Sequence, residues 1–95
     1  MGKRPDVCVS SQISYQGYDG IAPDTGWWVN AACWEAYFVI DGTATIYIDD
    51  QIHKVEKSDV VIMLPGQKTR MEAKNLKIIT ITKPNWYESQ AKIVT

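Results

Sequence analysis

An all-β sandwich or barrel is the fold class this sequence predicts, on three observations. From Gly26 onward, turn residues recur every eight to ten positions. The segments between them are short and rich in β-branched and aromatic side chains, which suit a pleated surface. No window of eleven residues or more carries an apolar period of 3.6.

The elements follow in order. Val7–Ser10 and Ile13–Tyr15 read as short strands within an otherwise irregular first 26 residues. Gly17, Gly20, Pro23, Asp24 and Gly26 mark turns. Trp27–Asn30 and Trp34–Ile40 are strands, and Asp41-Gly42 is a hairpin signal. Thr43–Ile48 alternates as the return strand, and Asp49-Asp50 turns into a short strand over Gln51–Val55. Lys57-Ser58-Asp59 is a turn, and Val60–Met63 is a β-branched run closed by Pro65-Gly66. Thr69–Ala73 and Leu76–Thr82 are strands joined at Lys74-Asn75, with Pro84 as a stop. Asn85–Lys92 is the one helical candidate, because Asn85 and Glu88 have N-cap spacing.

Ninety-five residues make one domain with one modest core. It divides into an N-terminal arm (1–26), a barrel core (27–84) and a tail (85–95). The longest apolar runs, Ala36–Ile40 and Val60–Pro65, are too short to cross a bilayer, and the N-terminus lacks the apolar stretch of a secretory signal. A soluble cytoplasmic protein with no membrane partner is expected. Ten basic against eleven acidic residues give no basic footprint for nucleic acid. The acids crowd into the first half and the bases into the second, and a barrel built from both halves mixes them. Cys8 and Cys33 are expected as thiols rather than a bridge, and neither has a zinc-motif partner.

From Glu35 onward the order of features resembles a small single-domain cupin, an RmlC-like jelly roll. Glu35 is followed six residues later by Gly42, as in the family's first motif. Thr45–Val55 is similar to the inter-motif hairpin, and Ser58-Asp59 through Pro65-Gly66 to the second motif. The resemblance covers about residues 34–88. It implies a jelly-roll barrel of about eight to ten short antiparallel strands.

The family holds its metal with three histidines and the glutamate. Here the first two histidine slots fall on Trp28 and Asn30, or on Val29 and Ala31 with a shorter spacer, and the third on Thr69. Only Glu35 remains, and one carboxylate does not hold a divalent cation. The resemblance therefore implies a barrel without metal or other cofactor.

Strand alternation puts Cys33, Glu35, Tyr37 and Val39 on one face and Ala36, Phe38 and Ile40 on the other. The resemblance turns the Glu35 face inward. A partly desolvated carboxyl there suits general acid–base work, ligand contact or a structural hydrogen bond. Trp28, Asn30, Cys33, Glu35, Tyr37, Thr69 and Met71 are the expected ligand-binding set, with Glu35 also the catalytic candidate. Cys33, beside a carboxylate, is a poor nucleophile. His53 is expected at the surface or rim. Lys68 and Arg70 stand near the mouth, able to meet an anion or simply to be solvated.

The reading is a metal-independent barrel that binds an organic small molecule for carriage, sensing or sequestration. The alternative is a metal-independent isomerase, epimerase, cyclase or lyase using Glu35. A filled barrel serving only as an interaction protein is the third possibility. A homodimer is expected, through an exchanged N-terminal strand and the Ala36, Phe38 and Ile40 face.

Overall fold

The computed structural model describes residues 12–83 and 86–95. Among these are seven strands: β1 (Gln12–Ala22), β2 (Trp27–Asn30), β3 (Trp34–Ile48), β4 (Gln51–Val55), β5 (Val60–Met63), β6 (Lys68–Lys83) and β7 (Ala91–Val94). All pair antiparallel. The path β4-β3-β6-β2-β7 is extended by β1 on β6 and β5 on β3. The result is the cupin-like jelly roll that the sequence predicts.

A predicted hairpin and a predicted turn are in fact creases in long strands. Asp41-Gly42 lies inside the 15-residue β3, and Lys74-Asn75 inside the 16-residue β6. The β3·β6 register shifts between Val39 and Thr43, and the β1·β6 register between Tyr18 and Gly20. All three irregularities fall at one level of the sheet. Positive φ at Gly42 (80°), Asn75 (48°) and Gly20 (104°) bends each strand there. A Cβ on Gly42 would stand 2.1 Å from the Asn75 carbonyl oxygen, so this close approach of β3 and β6 admits only glycine. The Asp19 carboxylate steadies the crease by accepting from the Asn75 N–H at 3.1 Å.

Beyond the crease the sheet folds back on itself. One half joins β5, the start of β3, the end of β6 and the start of β1. The other joins β4, the end of β3, the start of β6, the end of β1, β2 and β7. Val39, Ile46, Leu76 and Ile78 are wholly buried between the halves. At about 25 cal/mol per Å² of apolar surface removed from water, such side chains are the main source of stability.

The ends of the chain differ from expectation. Residues 12–22 form one strand paired along its length with β6 of the same chain, not an irregular arm; Val7–Ser10 and Cys8 lie outside the described residues. Among the described residues of the tail there is no α-helix. Only Glu88–Gln90 makes a single 3₁₀ turn before β7 pairs with β2. Its β-branched Ile93 and Val94 gain more as an edge strand than in a helix.

The outer face of the first half is apolar. Val60, Phe38, Ile79 and Tyr15 form one cross-strand row, and Ile62, Ala36, Ile81 and Ile13 the next. Five of the eight are 41–69% exposed. Among the described residues no helix is long and apolar enough to cross a membrane.

Candidate functional site

A cavity of about 560 Å³ opens between the two halves of the sheet. The first half supplies its polar wall. Glu35 and Tyr37 come from β3, with Thr82 and Thr80 directly opposite them on β6. Ser14 stands beyond Thr80 on β1, followed on the same face by Gln16 and Tyr18. The second half supplies an apolar wall of Trp28, Ile46, Met71 and Ile93, and Thr69 and Arg70 adjoin it. Trp86, from the segment before β7, stacks on Trp28 with ring centroids 6.3 Å apart and planes 14° apart.

Behind the cavity lies a hydrogen-bond hub centred on Asn30. Its Nδ2 donates to Glu35 Oε1 at 3.1 Å. Its Oδ1 accepts from Trp86 Nε1 at 3.2 Å and from Gln90 Nε2 at 2.9 Å. Gln90 Oε1 in turn accepts from the backbone N–H groups of Ala32 and Cys33. Two N–H donors on Oδ1 fix which way the amide faces, so Asn30 always offers an N–H to Glu35. Glu35 Oε1 is thereby occupied, and Oε2 is the carboxyl oxygen left for the cavity.

The electrostatics follow from burial. Burial raises the Glu35 pKa, and the Asn30 hydrogen bond offsets part of that rise. Burial pushes the Tyr37 phenol well above its ordinary range, with the Glu35 charge and then Tyr18 adding to it. Tyr18 is raised by burial and by Glu35, and its hydroxyl donates to Gln16 Oε1. Gln16 Nε2 donates to the Ser14 hydroxyl at 3.2 Å. The wall is thus a row of neutral donors and acceptors around one carboxyl that takes up a proton more readily than usual.

Of the residues singled out in the sequence, Trp28, Glu35, Tyr37, Thr69 and Met71 line the cavity together. Thr69 also donates its hydroxyl to the Trp28 carbonyl at 3.3 Å. Two do not line it. Asn30 stands behind Glu35 as its hydrogen-bond donor. Cys33 shares the Glu35 face but is fully buried where Gln90 packs over the strand's start, and burial followed by the Glu35 charge raises its thiol pKa. His53 is exposed on β4 beside Gln51, away from the cavity. Lys68 lies over the Trp27 ring at 5.0 Å rather than on the cavity wall. Among the described residues no three His, Cys, Asp or Glu side chains stand together as a metal site.

Sequence reasoning missed Ser14, Gln16, Tyr18, Thr80, Thr82 and Trp86. A signal existed in the alternation of Ile13 and Tyr15 with Ser14 and Gln16, and of Ile79 and Ile81 with Thr80 and Thr82. The ordinary rule for a half-buried strand turns the polar set outward. Here the polar set faces in.

No family model and no curated protein matches this sequence. Solved structures do. The chain is similar to the Streptomyces nucleoside dehydratase Pac13, determined as a variant with uridine, at TM-score 0.82 and 13% identity, over 90% of this chain and 69% of that one. A cupin-2 domain protein from Shewanella frigidimarina aligns at TM-score 0.65 and 23% identity, over 79% and 71% of the two chains. A double-stranded β-helix protein from Klebsiella pneumoniae aligns at TM-score 0.72 and 14% identity, over 90% and 76%. These likenesses establish the cupin-type barrel fold.

Proposed function

We propose that this cupin-like barrel binds an organic small molecule in the cavity between its sheet halves, without a metal, and that Glu35 is its central polar contact. The observation that carries this is the Glu35 carboxyl on the cavity wall, with one oxygen held by Asn30 and the other left for the cavity. A volume of about 560 Å³ is within the range of small-molecule sites, and an apolar wall with a few convergent polar groups is their usual make-up. A barrel serving only as an interaction surface has no need of such a space. Native mass spectrometry of protein purified without chelator tests the reading. Copurified organic mass and no stoichiometric metal are expected; an empty barrel carrying about one metal ion per chain would sink it.

A second reading is proton-transfer catalysis of the lyase or isomerase kind. It is favoured by the Tyr37 hydroxyl on the same strand face as Glu35, which pairs an acid with a base candidate. That Pac13, which shares the fold, is a dehydratase is consistent with the same class.

We also propose a homodimer through the outer apolar array. Its eight side chains include no charge, and the chain's net charge of −1 leaves two copies little electrostatic repulsion. Apolar patches of this kind mark association sites. Phe38, at the centre of the array and 41% exposed, is the residue to change. Light scattering at micromolar concentration should give twice the chain mass for the wild type and one chain mass for Phe38→Glu. A monomeric wild type would overturn the proposal.

A further inference from the structure

Thr80 and Thr82 line the cavity, are 3% and 4% exposed, and have hydroxyl oxygens with no hydrogen-bond partner. The buried amide and carboxyl side chains beside them do have partners: Glu35, Asn30 and Gln90 bond to one another or to backbone. A valine would fill the space of each threonine without a hydroxyl to desolvate, so the fold by itself gains nothing from these two oxygens. Buried groups kept at a cost to the fold concentrate where function needs them.

We propose that Thr80 and Thr82 are ligand contacts, and that they recognise an uncharged ring compound through two adjacent hydroxyl groups on it. This rests on the binding reading above and gives that ligand a chemical class. The two threonines are alternate residues on one strand, so their Cβ atoms are about 6.6 Å apart. In the same rotamer the two hydroxyl oxygens are as far apart as the Cβ atoms, a gap too wide for one ligand atom to bond both well. Two oxygens about 3 Å apart, as in a vicinal diol, span it with a hydrogen bond at each end. Glu35 and Tyr37 stand directly across from Thr82 and Thr80, which completes a two-by-two set of polar groups. A hydroxyl both donates and accepts, as each member of this set requires in turn.

The buried end of the ligand is uncharged because no Lys, Arg or His belongs to this set, and Glu35 would oppose an anion. Trp28 and Trp86, stacked on each other, line the cavity and give the apolar side of the compound an aromatic surface. The threonine oxygens are shut off from solvent in the free protein. A turn of about 120° around χ1 carries each hydroxyl into another staggered well, and this is how its oxygen would reach the ligand.

Thr80→Val, Thr82→Val and Thr80→Ser in the full chain test this by thermal melts and by tryptophan-fluorescence titration with uridine, 2′,3′-dideoxyuridine and indole. Each valine variant is expected to melt about 3 °C or more above the wild type and to bind uridine about tenfold more weakly. Dideoxyuridine should bind the wild type weakly and be indifferent to the valines, and Thr80→Ser should restore uridine binding. A fall in Tm in the valine variants would make the hydroxyls structural and overturn the inference. Unchanged uridine affinity in both would do the same. If the wild type binds indole but neither nucleoside, the cavity binds ligands and the diol assignment fails; if it binds none of the three, the binding reading falls with it.

Discussion

Glu35→Gln is expected to separate binding from catalysis and to stabilise the fold at neutral pH. Gln keeps the shape and the acceptor facing Asn30 Nδ2, but it neither ionises nor transfers a proton. If Glu35 contacts ligand, affinity shifts by about 1–3 kcal/mol with no turnover to lose. If it is the acid or base, turnover falls by about 10²-fold or more with affinity little changed. The affinity outcome is expected. Neither affinity nor turnover moving would leave Glu35 a purely structural residue and remove the core of the proposed function.

The stability change has a definite sign. The folded-state pKa of Glu35 is raised, chiefly by burial. Between the unfolded carboxyl value of about 4.3 and that raised value, the folded state binds more protons than the unfolded one. Stability from this group is therefore fully present below the unfolded pKa and is lost as pH rises through the folded pKa. Glu35→Gln removes that loss. Chemical denaturation from pH 4 to pH 8 should show the variant gaining on the wild type as pH rises. A constant difference across that range would mean the carboxyl titrates normally.

Asn30→Ala is expected to be the most destabilising single change at the site. It leaves Trp86 Nε1, Gln90 Nε2 and Glu35 Oε1 without their partner, all in or beside the buried hub. Each stranded buried group costs about 1–3 kcal/mol, so a loss of roughly 3 kcal/mol or more is expected. Trp86 should lose its fixed place over the cavity, giving a red-shifted tryptophan emission. The Glu35 pKa should rise further, because the Asn30 hydrogen bond is what lowers it. Should Asn30→Ala not fold, Trp86→Phe keeps the ring stack and removes one donor, at a cost of about 1 kcal/mol. A variant within about 0.5 kcal/mol of the wild type would show that the hub carries little.

Fold class, most strand positions and the parity within each strand were legible in the sequence. Trp27–Asn30, Gln51–Val55 and Val60–Met63 are strands with the predicted bounds, and Glu35 and Tyr37 share the buried face apart from Phe38. These features are local, because side-chain period and turn chemistry act over a few residues. Positive-φ signals at Asp41-Gly42 and Lys74-Asn75 were legible as well, but not their meaning. A glycine or asparagine that reverses a hairpin and one that creases a long strand read alike, and only the pairing of β3 with β6 along their whole length distinguishes them. The same holds for which face turns inward. Alternation places Thr80 with Thr82 and Ser14 with Gln16, but burying Ile79, Ile81, Ile13 and Tyr15 instead would have satisfied the hydrophobic pattern equally well. The tertiary structure turned the polar set in because the folded-over sheet encloses an open cavity at that level rather than a filled core, and it left the isoleucines on an outer face. Trp86 and Gln90 reach Asn30 across 56 and 60 residues of chain, a separation that no local pattern encodes.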